Sequence, residues 1–159
     1  MDEDKLNRLP PDVKKQFLKL ALKLSEKKTK SKVHDDFMTF VKHVWPEFIE
    51  GKHHKEIAEK FNQIAKGEIK RLIINMPPRH TKSEFASFLL PSWMVGRKPN
   101  LKIIQTTHTT ELAIRFGRKA KTLMDSQEYK QVFDTRLRED SQAAGKWETE
   151  QGGEYYAAG

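Results

Sequence analysis

The sequence predicts an α/β domain, a mainly parallel sheet flanked by helices, with a helical N-terminal extension and a C-terminal β-hairpin. Three observations carry this. Helical and strand patterns alternate in the order helix, strand, helix, strand, helix. Two short segments, residues 71–76 and 101–107, read as strands, and the apolar character of the first suggests burial on both faces, as in a parallel sheet. And the pair Lys82-Ser83 stands between the first of these runs and the helix-like stretch from Glu84 to Leu90. Right-handed crossovers in such a fold put a ligand at the C-terminal end of the first core strand.

Two segments follow from composition, residues 1–34 and 35–159. In the first, Pro10-Pro11-Asp12 starts a helix, with Val13, Phe17, Leu20, Ala21 and Leu24 recurring at helical spacing. Residues 25–32, Ser-Glu-Lys-Lys-Thr-Lys-Ser-Lys, carry almost no apolar side chain and read as a flexible basic linker, solvated or in contact with phosphates. A second helix begins at Asp35 or Asp36, runs through Phe37, Phe40, Val41 and Val44, and is ended by Pro46. A third carries Ile57, Ala58, Phe61, Ile64 and Ala65 on one face and stops at Gly67. After the strand at 71–76 come the loop and its helix, which Pro91 kinks or ends. A second strand at 101–107 leads to a helix capped by Thr109 or Thr110, with Leu112, Ala113, Phe116, Ala120 and Leu123 facing inward. A short helix at 127–133 and a polar loop at 134–146 precede a hairpin. Its arms are residues 147–149 and 155–157, and its turn is Gln151-Gly152-Gly153.

The chemistry concentrates in Met76-Pro77-Pro78-Arg79-His80-Thr81-Lys82-Ser83. A lysine followed by a hydroxyl residue at a strand-to-helix junction is the working end of a phosphate-binding loop of the P-loop NTPase type. Amides at a helix start attract phosphate oxygens, Lys82 adds a full charge, and the Ser83 hydroxyl completes the shell of a bound Mg²⁺. The usual pattern has glycine where this chain has Met76 and Thr81, and Pro77 and Pro78 stiffen the loop instead. An ordinary helix connection that happens to contain Lys-Ser is the competing reading.

The segment 74–84 resembles the deviant Walker A motif of phage terminase large subunits, the ATPases that package viral DNA. The likeness extends upstream through Phe37, Phe40, Trp45-Pro46-Glu47-Phe48, Gly51-Lys52-His53-His54 and residues 67–71. Downstream it takes in Pro91-Ser92-Trp93, Gly96-Arg97, Pro99, Trp147-Glu148-Thr149 and Gly152-Gly153-Glu154-Tyr155. It covers residues 35–159 in the family's order. The resemblance implies an ASCE-like ATPase core, incomplete here, with ATP and Mg²⁺ as cofactors. It implies Lys82 and Arg79 as catalytic residues, Arg79 sensing the γ-phosphate or shaping the loop through a salt bridge. Nucleotide-binding positions are then Pro78, Arg79, His80, Thr81, Lys82, Ser83 and Glu84, with Trp45 and His54 from the adenine-proximal region. Trp45 and Phe48 also fit simple core packing. Adjacent His53 and His54 cannot share a helical face, which makes them a poor metal motif. His108 follows the second strand, either facing the site or structural, and Thr106 and Thr107 stand where related motors connect nucleotide state to DNA. Members usually carry glycine where this chain has Thr81.

Partners implied by the resemblance are double-stranded DNA, a portal protein, a small terminase subunit and further copies in a ring, in the host cytoplasm on the procapsid. A helicase-like ATPase, or a DNA- or partner-binding fragment that does not hydrolyse, are the alternatives. No apolar strand ending in paired acids follows the loop, and the family's nuclease domain is absent, so slow hydrolysis is expected of this chain. Composition is consistent with a polyanionic partner: net charge is +8 at pH 7. The absence of cysteine excludes a disulfide framework and thiolate metal sites. No apolar run approaches membrane-spanning length, and the acidic Met1-Asp2-Glu3-Asp4 lacks a signal-peptide pattern.

Overall fold

The computed structural model describes residues 10–159; the acidic residues 1–4 lie outside that range. Helix α1 (Pro11–Asp35) starts with proline at its first position, where the missing N–H is no loss. It runs through the segment expected to be a flexible linker. Lysine and glutamate are good helix formers, and Ser25 and Thr29 satisfy their hydroxyls on the Leu22 and Ser25 carbonyls. Val33, fully buried, anchors the end of the helix, and its carbonyl accepts from the Trp93 indole at 3.1 Å.

Helix α2 (Phe37–Val44) is capped by Asp36, whose carboxylate accepts from the Thr39 backbone N–H at 2.7 Å. Helix α3 (Lys52–Lys66) ends at Gly67, which takes the left-handed conformation (φ 80°) that glycine adopts without penalty. Residues 84–89 form a wide, π-type turn that leads directly into α4 (Leu90–Arg97). Pro91 is the physical cause. It has no N–H to give the preceding turn, and the helix widens so that Leu90 N–H reaches back to the Phe85 carbonyl. The helix therefore continues past Pro91 rather than stopping there, and is helical over residues 82–97.

Strand β1 (Lys102–Thr106) leads to α5 (Thr110–Asp125), capped by Thr109, and then α6 (Gln127–Val132). Strands β2 (Leu137–Ala143), β3 (Lys146–Thr149) and β4 (Glu154–Ala158) complete a four-stranded sheet in the order β1-β4-β3-β2. The expected hairpin is β3–β4. The polar stretch expected to be loop instead forms β2, an exposed strand laced by Arg138 to Asp140 (2.6 Å) and Glu148 (3.0 Å). The sheet is mixed rather than mainly parallel. Only β1–β4 is parallel, because only that pair is joined by a long crossover; the short turns after β2 and β3 force antiparallel pairing.

The expected core strand at 71–76 is a second correction. It has Leu72, Ile74 and Met76 packed toward the core, but it forms no regular element and pairs with no strand among the described residues. Ile73 is 85% exposed, so the apolar run is buried on one face, not two.

Two packed regions position everything else. Among the helices, the Phe37 ring meets those of Phe61 (5.0 Å), Phe85 (5.4 Å) and Trp93 (5.4 Å) edge-on, and Tyr129 donates to the Ser92 carbonyl at 2.8 Å. On the sheet, Trp147 stacks on Tyr155 at 4.7 Å and donates to the Gly117 carbonyl of α5. A side chain at Gly117 would collide with the Ala144 carbonyl, so α5 can approach the sheet only through glycine there.

Candidate phosphate-binding loop

The loop at 77–81 is exposed and sharply curled. Arg79 and Thr81 both take positive φ, 64° and 58°, which side chains with a Cβ adopt at a cost of about 1–2 kcal/mol each. Thr81 ends the loop and opens the helix: its carbonyl accepts the first helical hydrogen bond, from Phe85 N–H at 3.0 Å. The amides of Lys82, Ser83 and Glu84 precede that bond and find no acceptor among the described residues. Three N–H groups at the positive end of a helix of residues 82–97 are thus left for another partner.

The Lys82 ammonium forms no ion pair and the Ser83 hydroxyl no hydrogen bond among the described residues. Both stand at the first turn, beside the open amides. Pro78 offers its carbonyl to His80 Nδ1 at 2.9 Å, which puts the proton on that nitrogen and turns the imidazole back onto its own loop. Arg79 is exposed and without a salt bridge among the described residues, so the loop is not shaped by one at that position. Glu84 is different. Both of its carboxylate oxygens hold the Lys119 ammonium of α5, at 2.6 and 2.8 Å, and only its backbone N–H faces the open helix end. Lys119 was not singled out by the sequence, because no local pattern announces a contact across 35 residues.

Thr81 is tied to α3. Its hydroxyl lies 2.6 Å from His54 Nε2 and donates to the His80 carbonyl at 2.7 Å. His54 is only 7% exposed, and its Nδ1 accepts from the Gly51 N–H at 2.9 Å. Burial lowers the His54 pKa, and the neighbouring His53 pushes it the same way, against the opposing pull of Glu50. The ring packs on Phe48 (4.8 Å) and Phe85 (5.1 Å), and Phe48 in turn contacts Trp45 at 5.2 Å. Trp45 therefore reaches the loop only through two intervening rings. It keeps 37% of its surface exposed and is not a core position.

Sequence-predicted residues elsewhere separate from this site. His108 is exposed and lines a concavity at the start of α5 with Thr109, Thr110, Arg115 and Arg118. The Thr107 hydroxyl donates to the Thr109 carbonyl at 2.7 Å, shaping that helix start. Among the described residues no three His, Asp or Glu side chains gather as a metal site, and no helix is long and apolar enough to cross a membrane. What fold and site define together is an α/β chain whose cationic, strained loop presents a helix N-terminus. The chain matches no protein-family model, no curated protein and no solved structure.

Proposed function

We propose that residues 76–83 bind the phosphates of Mg²⁺-ATP, and that the chain is the ATP-binding part of a viral DNA-packaging motor of the terminase type. One observation carries the phosphate reading: the unpaired Lys82 beside three open amides at the start of a long helix. The nearest hydroxyl does not fill these amides: Thr81 is turned away to His54 and the His80 carbonyl, which leaves the helix end open to a ligand. In this reading the amides and Lys82 hold the β- and γ-phosphates, and Arg79 meets the γ-phosphate from the outer side of the loop. The free Ser83 hydroxyl fits Mg²⁺ as one oxygen ligand among phosphates and waters. The Trp45 face offers a place for the purine.

The motor reading rests on the resemblance and on the +8 charge, which suits double-stranded DNA. Its partners are then a portal protein, a small terminase subunit and further copies of the motor in a ring, at the procapsid in the host cytoplasm. Hydrolysis needs a carboxylate to orient water. Strand β1 ends at Thr106 and β4 at Ala158, neither acidic, and the Glu84 carboxylate is held by Lys119. These facts favour a second, narrower statement: this chain binds nucleotide and turns it over slowly. Thermal unfolding with and without Mg²⁺-ATP tests the core claim. Wild type should melt higher with nucleotide, and Lys82→Ala should lose that shift while keeping its own melting temperature. A wild type whose melting temperature ignores millimolar Mg²⁺-ATP sinks the phosphate reading.

A further inference from the structure

We propose that His54 is a positioning residue for this loop, holding Thr81 in the left-handed turn that a glycine would adopt unaided; for its effect on nucleotide, the proposal rests on the phosphate reading above. Proton accounting defines the contact. The Gly51 N–H occupies His54 Nδ1, so the ring proton sits on Nε2. That Nε2–H points at the Thr81 oxygen, 2.6 Å away, and the Thr81 hydroxyl passes its own proton to the His80 carbonyl at 2.7 Å. Every donor in the chain from Gly51 to His80 has one acceptor, and the direction admits no reversal. The imidazole itself is fixed between Phe48 and Phe85. Thr81 is thus gripped by its side chain at the residue where its backbone is strained (φ 58°).

The consequence reaches the proposed phosphate site by one peptide. Thr81 sets the direction of the Lys82 N–H and begins the helix that orients Ser83 and Glu84. Without the grip, a threonine relaxes out of the left-handed region and turns the first amides away from a common point. With glycine at position 81, the same turn needs no grip. A residue that only fills space beneath the loop would not make this distinction.

A double-mutant cycle reads it. His54→Leu, which keeps the volume and removes the donor, and His54→Gln, whose amide N–H reaches a similar position, are each made in the wild-type and the Thr81→Gly backgrounds. Affinity is measured by titration with a fluorescent ATP analogue and Mg²⁺, and melting temperature without nucleotide. Expected is a loss of about tenfold in affinity for His54→Leu with Thr81 present, little loss with Thr81→Gly, and recovery of most of the affinity by His54→Gln. The melting temperatures should show the same coupling. Equal losses from His54→Leu in both backgrounds overturn the proposal, as does a His54→Gln variant no better than His54→Leu. If wild type binds no nucleotide yet the coupling in melting temperature is present, the grip on Thr81 stands and the phosphate reading falls.

Discussion

Among the described residues the backbone turns left-handed at two glycines, Gly67 and Gly152, and at two residues that are not glycine, Arg79 and Thr81. At Gly67 and Gly152 an added Cβ would meet nothing within 4 Å, so glycine is there for its backbone freedom alone. The first closes α3 and the second the β3–β4 turn, and neither carries strain. Arg79 and Thr81 flank His80 in the exposed loop and accept a penalty the other two avoid. The difference teaches where this chain tolerates strain. It is confined to the segment that bears the open helix amides, and at Thr81 it is held by a side-chain contact through His54 to the aromatic core.

Those contacts have a foundation, and removing it should have the largest effect. Phe85 touches both His54 (5.1 Å) and Phe37 (5.4 Å), joining the loop's support to the core. Phe85→Ala is expected to cost about 3–5 kcal/mol of stability, measured by urea unfolding. It should also loosen the loop before the rest, seen as a larger gain in exchange at the amide of residue 85, which bonds the Thr81 carbonyl, than at the amides of α5 under native conditions. Uniform acceleration across the molecule would mean that the loop draws nothing special from this ring, and the contrast between the two kinds of turn would lose its physical basis.

Exchanging the chemistry of the two kinds of turn sharpens the contrast at smaller scale. Gly67→Ala adds a Cβ that meets no clash, so its cost is conformational, about 1–2 kcal/mol for a residue forced left-handed. Thr81→Gly should change stability by less than about 1 kcal/mol. Relief of about 1–2 kcal/mol of strain is offset by one lost hydrogen bond and by the added freedom of glycine in the unfolded chain. Thermal unfolding of both variants decides. A Thr81→Gly protein stabilised by more than about 2 kcal/mol would mean that the His54 contact contributes nothing to offset the strain.

The glycine turns were legible in the sequence and the strained ones were not. Gly67 follows a helical apolar pattern and Gly152 sits in a Gln-Gly-Gly cluster, so each has a local signature. Helices α2, α3 and α5 were legible for the same reason, one buried face at helical spacing. Local pattern failed where tertiary context decides. Residues 25–32 continue α1 because Val33 is pinned under Trp93, a contact 60 residues away. Residues 137–143 became a strand by pairing with β3 on an exposed surface, with no apolar alternation to read. Residues 71–76 look like a central strand by composition, but hydrogen-bond partners decide pairing and none of the described strands supplies them. At the candidate site, Lys82 and Ser83 could be picked out from residue type and spacing. The engagement of Glu84 by Lys119 and of Thr81 by His54 joins residues 35 and 27 apart, which no short-range rule anticipates.

The smallest expected effect is a pH dependence that separates the strained turn's support from an ordinary cap. Burial holds the His54 pKa below its usual value, so the folded state prefers the neutral ring whose Nδ1 accepts from Gly51. A group lowered in the fold contributes stability above its unfolded value, near 6.5 for histidine, and loses it as pH falls from there through the folded value. Asp36 behaves likewise at lower pH. Burial opposes its charge, but hydrogen bonds from the Thr39 side chain and backbone and from Asn62 outweigh it and hold the carboxyl below its usual range. Its contribution is present above about pH 4 and disappears as the carboxylate is protonated. Urea unfolding between about pH 8 and 2 should therefore show two declines. His54→Gln should flatten the upper one, and Asp36→Asn should reduce the lower one while leaving the upper intact. Asp140 and Glu154 are also lowered, by Arg138 and Lys102, but these exposed pairs are screened and should contribute little at moderate salt. An upper decline that survives His54→Gln would assign it to another histidine. The strained turn would then stand on a support indifferent to protonation, no different in this respect from the turns that glycine makes alone.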